Sequence, residues 1–183
     1  MLVRRETAGD VAAVRAVTAA AFARADAPAA TPAEVTLLDE LRADDGWLPM
    51  FSLVAVGTAV GEAVGQADDA QVIGHVLGTR GWVGSAPVLA LGPVSVRPDR
   101  QRQGVGSALL HAVLGAADAV GEPLVALLGS ITYYRRFGFR PAVPYGITPP
   151  VAEWGDHFQV RTLAAYEPAL RGRFRYPAPF DRV

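Results

Sequence analysis

The sequence predicts a mixed α/β (α+β) fold: one central, mostly antiparallel sheet flanked by helices. Three observations carry that prediction. Phe51 to Val56, Gln71 to Thr79 and Leu89 to Val96 are apolar segments separated by glycine-bearing stretches, the pattern of an antiparallel meander. The last of them passes through Arg97-Pro98-Asp99 and a polar glycine turn into a long apolar helical pattern beginning at Ser107. After that helix, Pro123 opens a fully apolar strand, Leu124 to Leu128, suited to burial between helices.

With 183 residues and 51% hydrophobic content, the chain is long enough for one domain with a real core. We expect a single domain over 1–183, with a core in 1–141 and residues 142–183 packed on it as an extension. The net charge of −1 gives no general pull toward nucleic acid or anionic membrane. Absence of Cys excludes disulfides, a thiol nucleophile and thiolate metal sites, and three scattered His give no expectation of a metal centre. All 17 Lys+Arg residues are Arg, so P-loop lysine and lysine Schiff-base chemistry are excluded. The N-terminus MLVRRETAGD lacks the apolar run of a secretory signal, and later apolar runs are broken short of a membrane span. A cytoplasmic protein is expected.

In chain order, Leu2 to Arg5 reads as a short first strand. Thr7 or Asp10 is placed to cap a helix whose Val11, Val14, Val17, Ala21 and Phe22 recur near helical spacing. Ala23 to Ala30 reads as a loop. Thr31-Pro32-Ala33-Glu34 supplies a hydroxyl cap, a proline for the first helical position and an acid in the first turn. Val35, Leu38 and Leu41 form the buried stripe of that second helix, which Asp44-Asp45-Gly46 ends. Gly57 to Asp69 reads as a long hairpin connection or mobile insert, and Gly81 to Gly84 as a turn region. Trp82 there either covers the core edge or lines a pocket. Gly121 is placed to end the long helix. Thr132 to Phe137 reads as a short helix, and Gly138 lets the chain return to strand at Phe139-Arg140. Phe158 to Leu163 and Gly172 to Tyr176 read as strands, and Pro177 to Val183 as an edge segment or loosely held tail.

The turn Gln101-Arg102-Gln103-Gly104-Val105-Gly106 is a device for holding phosphate. Its glycines permit unusual dihedrals and close approach, the first helical amides have no partner within the helix, and the helix dipole attracts anions. Arg100 and Arg102 add charge. These residues match Gln/Arg-x-x-Gly-x-Gly/Ala after a strand, and Tyr134-Arg135-Arg136-Phe137-Gly138-Phe139 matches Tyr-x-x-x-Gly-Phe downstream of a further strand. In this order the two elements resemble the GCN5-related N-acetyltransferase (GNAT) family, and the arrangement of the pieces is most similar to its small bacterial predicted acetyltransferases. The resemblance covers most of residues 1–141.

The resemblance implies a GNAT fold in which the fourth strand splays from the fifth, acetyl-CoA as co-substrate, no metal, and acetyl transfer to a primary amine by direct attack. It implies that Gln101, Arg102, Gln103, Gly104, Val105, Gly106 and Ser107 hold the coenzyme, with the amides of Arg102 to Ser107 on its pyrophosphate. The backbone of Val94, Ser95 and Val96 is expected to pair with the pantetheine arm, beyond an irregularity at Gly92-Pro93, and to offer an amide to the thioester oxygen. Tyr134 corresponds to the family's general acid; Tyr133 is adjacent, but the spacing to Gly138 selects Tyr134. Many relatives end the fifth strand with an Asn that reaches the pantetheine. Here Gly129-Ser130 stands there, so that contact falls to Ser130, to backbone, or is absent.

The general base is not assigned by the sequence. His75 either faces the cleft or is a satisfied sheet histidine, His111 is expected on the exposed side of the long helix, and His157 lies in a loop near Glu153 and Asp156; a water relay is a further option. Glu34, Asp39 and Glu40 lie in the early helical region that borders the acceptor site in the family. A small-molecule or peptide amine is the expected partner, and many relatives pair as homodimers. A Rossmann domain is excluded because Leu109 occupies the third glycine place and the turn falls late in the chain. A catalytically silent acyl-CoA-binding or interaction module on the same fold is the alternative.

Overall fold

Alternation along the strands organises the molecule. In the computed structural model, which describes residues 1–27, 30–58 and 70–182, β1 (Leu2–Arg5), β2 (Trp47–Thr58), β3 (Ala70–Val83) and β4 (Ala86–Val96) form an antiparallel meander. Phe51, Leu53 and Ala55 of β2 point to one face of the sheet, and Val54 and Val56 to the other. The first face is covered by α3 (Val105–Ala119) through Leu109, Leu110, Val113 and Leu114. The second is covered by α1 (Val11–Phe22) and α2 (Ala33–Arg42) through Val14, Val17, Leu37, Leu38 and Leu41. Each fully buried Leu contributes about 1.5–3 kcal/mol relative to exposure, so the two layers hold the sheet between them.

The remaining strands are β5 (Leu124–Leu128), β6 (Arg140–Pro141), β7 (Ile147–Thr148), β8 (Phe158–Thr162) and β9 (Gly172–Arg175). The order is β1-β2-β3-β4-β5-β8-β6, with β9 joining β3 past the end of β2. β4 and β5 are parallel; the other pairs along this path are antiparallel. The mixed, mostly antiparallel sheet flanked by helices is therefore present.

Several local expectations are corrected. Pro32 is the N-cap of α2 rather than its first helical residue, because its carbonyl accepts from the Val35 amide (3.0 Å) while its ψ is 142°. Gly81, Trp82 and Val83 belong to β3, and only Gly84-Ser85 turns. Trp82 covers the edge there, stacked under the Arg175 guanidinium at 5.0 Å. β5 is not sandwiched between helices: Val125 and Leu127 meet α3, but Leu124 and Ala126 meet Phe158 and Phe174 of the C-terminal strands. The end of the chain is docked rather than loose, with Pro179 buried and Phe180 stacked on Tyr176 at 4.4 Å. The connection expected over Gly57 to Asp69 begins as strand at Gly57, and its residues 59–69 lie outside the described residues, as does Val183. Among the described residues no helix is long and apolar enough to cross a membrane, and no group of three or more His, Asp or Glu is placed to hold a metal.

His75 lies under α1 and α2, fully buried, with its Nε2 at 2.9 Å from the Ser52 hydroxyl and 3.5 Å from Glu6. Ser52 also bonds Glu6, and Arg42 reaches the same carboxylate at 2.5 Å. Burial alone would raise the pKa of Glu6, but hydrogen bonds from His75, Ser52 and Arg42 outweigh it and hold it at about 2. Burial lowers the pKa of His75 more than Glu6 raises it. Both folded-state values lie below the unfolded ones, so both contributions are complete above the unfolded pKa and are lost as pH falls. The melting temperature should therefore decline first as pH drops below about 6.5, where unfolded His75 takes up a proton. A second decline should follow below about 4.5, from Glu6. Melting curves of His75→Asn should lack the first decline; an unchanged profile would show that this histidine does not set it.

Candidate active site

The site begins where two strands part. β4 and β5 are joined only at Leu89↔Val125 and Ala90↔Ala126. Just beyond, the β3–β4 register slips: Val76 faces Val94 while Gly78 faces Leu91, leaving Gly92 and Pro93 opposite Leu77 alone. Gly92 has φ +146 and its bond to Pro93 is cis. Beyond Ala90, β4 has no pairing with β5 among the described residues, so the β5-side edge of Leu91 to Val96 is without a strand partner. Arg97 donates its amide to the Ile73 carbonyl of β3 (3.0 Å). By the two-residue period, Ser95 also turns its amide toward β3, whereas Val94 and Val96 turn theirs to the open side. The Ser95 side chain is buried against α1, its hydroxyl 3.0 Å from that of Thr18, so only its neighbours line the cleft.

After β4, the turn 101–104 is tied down by its own polar side chains. Gln101 Nε2 donates to the Val96 carbonyl (3.2 Å), and Gln103 Nε2 to the Asp99 carbonyl (2.9 Å). Gly104 caps α3 in the left-handed region at φ +86, and Arg102 shares that region at φ +59. The Ala108 amide bonds the Gly104 carbonyl (3.0 Å), and among the described residues no main-chain bond consumes the amides of Arg102 to Ser107. Unbonded donors at the positive end of a long helix make a candidate anion cradle.

Two cavities meet in the cleft. One, of about 420 Å³, runs from Gln101, Arg102 and Gly106 to Val96, Tyr133 and Tyr134. The other, of about 430 Å³, is bounded by Glu34 and Leu37 of α2, Leu91 to Val94, Gly129, and Trp154, Tyr176 and Phe180. Phe22, Val94, Ser130 and Tyr134 line both, so these four residues stand at the junction. Burial raises the Tyr134 pKa to about 12, with Tyr133 adding to it, so the phenol is protonated throughout the neutral range. Tyr133 serves a different place: its hydroxyl lies 2.7 Å from where a Cβ on Gly106 would sit, and Arg136 stacks on its ring at 4.6 Å. Burial raises its pKa too, against the opposing effects of Arg136 and Ser107.

Ser130 caps α4 (Ile131–Tyr134), accepting from the Tyr133 amide at 3.4 Å, while lining both cavities. Gly129 leaves space for the Tyr134 ring: a Cβ there would lie 2.3 Å from Tyr134 Cε2, so the ring occupies the volume a side chain would need. Gly129→Ala should displace the phenol and cut turnover by about tenfold or more, since misplacement by an ångström is costly to a reacting group. Coenzyme titration of the variant should show affinity within about threefold of the parent, because the anion cradle is untouched; unaltered turnover would mean the ring position is immaterial.

The other candidates separate. His75 lines neither cavity and belongs to the Glu6 network. His111 is exposed on α3, edge-on to Phe137 at 5.3 Å. His157 is exposed, with Nδ1 3.3 Å from the Gly129 carbonyl, and does not line the cavities. Asp39 pairs with Arg15, and Glu40 with Arg182 at 3.4 Å. Glu34 alone of the three α2 acids reaches the second cavity. Sequence reasoning missed Phe22, Leu37, Trp154, Tyr176 and Phe180 as cavity walls. Their apolar or aromatic character is visible in the sequence, but no spacing links α1 and α2 to a segment more than a hundred residues later.

Residues 3–142 match the model of the acetyltransferase (GNAT) domain family. The chain is 32% identical to a GNAT family acetyltransferase from Brucella melitensis solved in complex with acetyl-CoA, covering 98% of this chain and 97% of that one at a TM-score of 0.72. It is 28% identical to the Escherichia coli GNAT family N-acetyltransferase YhbS solved in complex with CoA, covering 99% and 92% at a TM-score of 0.80. It is also 29% identical, over 80% of its length and 79% of the other's, to the uncharacterized N-acetyltransferase YjhQ of Escherichia coli K12.

Proposed function

The chain belongs to the GNAT acetyltransferase family, and on that premise we propose that it moves the acetyl group of acetyl-CoA to a primary amine by direct attack, with Tyr134 as general acid. The observation that carries this reading is the place of Tyr134 at the junction of the two cavities, one running to the anion cradle and the other lined by the C-terminal aromatic residues. Relatives solved with acetyl-CoA or CoA support the choice of co-substrate.

Each residue then has a task. The amides of Arg102 to Ser107, with the Arg102 side chain beside them, hold the pyrophosphate. The open edge of Val94 to Val96 pairs with the pantetheine arm, and Ser130 lies beside it. The Val94 amide, the first donor after Pro93, faces the thioester oxygen as it gains negative charge. The amine loses one proton, its nitrogen forms the C–N bond, and the C–S bond breaks. Tyr134 gives its proton to the sulfur and regains one from solvent. Burial that raises the phenol pKa also raises the basicity of a thiolate in the same cleft, which keeps that transfer feasible. We place residues 142–183 in the same domain, since β8 lies between β5 and β6 and Trp154, Tyr176 and Phe180 complete the acceptor side.

The test is an amine panel read by thiol release and by the mass of the N-acetylated product. Stoichiometric product supports transfer. Tight acetyl-CoA binding with no product on any amine would instead favour a silent binding module.

A further inference from the structure

The acceptor-side cavity carries a charge pattern that the acetyl-transfer reading does not itself specify. Among the described residues Glu34 is its one acidic wall residue, and no Arg or His lines it. The neighbouring acids of α2 are engaged by Arg15 and Arg182, but among the described residues the Glu34 carboxylate has no ion pair and no hydrogen bond. The same cavity has an aromatic wall from the C-terminal segment, Trp154, Tyr176 and Phe180, with Tyr176 6.1 Å from Trp154 and 4.4 Å from Phe180 between ring centres.

Resting on the acetyl-transfer reading, we propose that the acceptor is a hydrophobic monoamine of the arylalkylamine class: one ammonium recognised by Glu34, on an aromatic body packed against Trp154, Tyr176 and Phe180. One carboxylate matches one ammonium. A polyamine or aminoglycoside would leave further cationic groups against apolar walls, where an unpaired charge is costly. An amino acid would bring a carboxylate into a cavity whose only charge repels it. The aromatic rings accept an apolar ring edge-to-face, which orients the amine end toward Tyr134. Before attack the ammonium gives up its proton to solvent; Glu34 acts in recognition.

The experiment compares four acceptors on the full chain with acetyl-CoA: 2-phenylethylamine, phenylalanine, spermidine and a dipeptide with a free N-terminus. Phenylalanine shares the ring and amine of the first and adds only a carboxylate. The expected result is a kcat/KM for 2-phenylethylamine about tenfold or more above each of the others, the ratio that one unpaired or repelled charge produces. Glu34→Gln should raise the KM for 2-phenylethylamine by about tenfold with kcat nearly unchanged, and Glu34→Asp should restore part of the loss. A merely structural Glu34 would leave KM unmoved. Preference for spermidine, the dipeptide or phenylalanine overturns the inference. So does the absence of any turnover of 2-phenylethylamine by protein that melts cooperatively and binds acetyl-CoA by calorimetry. Failure to bind acetyl-CoA would strike the acetyl-transfer reading first, and this inference with it.

Discussion

Tyr134→Phe should reduce turnover by about a hundredfold or more, the usual contribution of a positioned general acid, while acetyl-CoA affinity stays within about twofold. The ring contacts survive the change: Tyr134 lies edge-on to Phe139 at 5.7 Å and to Tyr133 at 5.0 Å, and Phe keeps both. Only the hydroxyl group, with its transferable proton, is removed. Because burial raises the phenol pKa to about 12, the acid form persists well above neutrality. The parent rate should therefore rise with pH as the amine deprotonates, with no alkaline fall caused by this residue below about pH 11. Tyr133→Phe is the control and should cost much less, since Tyr133 stands over Gly106 and lines the cavity beside the turn but not the one bounded by α2. Stopped-flow thiol detection on both variants checks the claim. Equal turnover in Tyr134→Phe would remove the phenol from the chemistry.

Gly104→Val should weaken coenzyme binding on the order of a hundredfold, the equivalent of about 3 kcal/mol of lost phosphate contacts. Space is not the obstacle, since a Cβ at Gly104 would meet nothing within 4 Å. The obstacle is conformation: φ +86 costs an ordinary L-residue about 1–2 kcal/mol and a β-branched one more. The turn would relax toward negative φ, and the amides that converge beside α3 would diverge. Gly104→Asn should retain most of the affinity, because Asn tolerates the left-handed region. The body of α3, buried through Leu109, Leu110 and Val113, should keep the fold intact, so a cooperative melt within a few degrees is expected. Calorimetric titration with CoA reads the outcome. Undiminished affinity in the valine variant would mean the turn does not hold the pyrophosphate.

Much of the architecture was legible because it rests on local chemistry. The strand, glycine turn and helix from Leu89 to Ala119 could be read from short-range signals, and so could the irregularity at Gly92-Pro93, where Pro removes a ladder donor. The short helix before Gly138 was equally local, since Gly138 takes φ +83. His75 was different. Its type suggested chemistry, but which sheet face it occupied depended on register, and that face is the one beneath α1 and α2. Glu34, Asp39 and Glu40 looked alike as acids of one helix; only packing separated the one that lines a cavity from the two that form ion pairs.

The sequence by itself determined the glycine turn that opens α3 and the tyrosine-bearing helical turns that end at Gly138, because both depend on backbone conformation and spacing within a few residues. The tertiary structure alone decided the second cavity. Phe22, Glu34, Trp154, Tyr176 and Phe180 meet only when α1, α2 and the C-terminal segment close over the gap between β4 and β5. That closure follows from long-range burial, which has no period along the chain and so leaves no local signature.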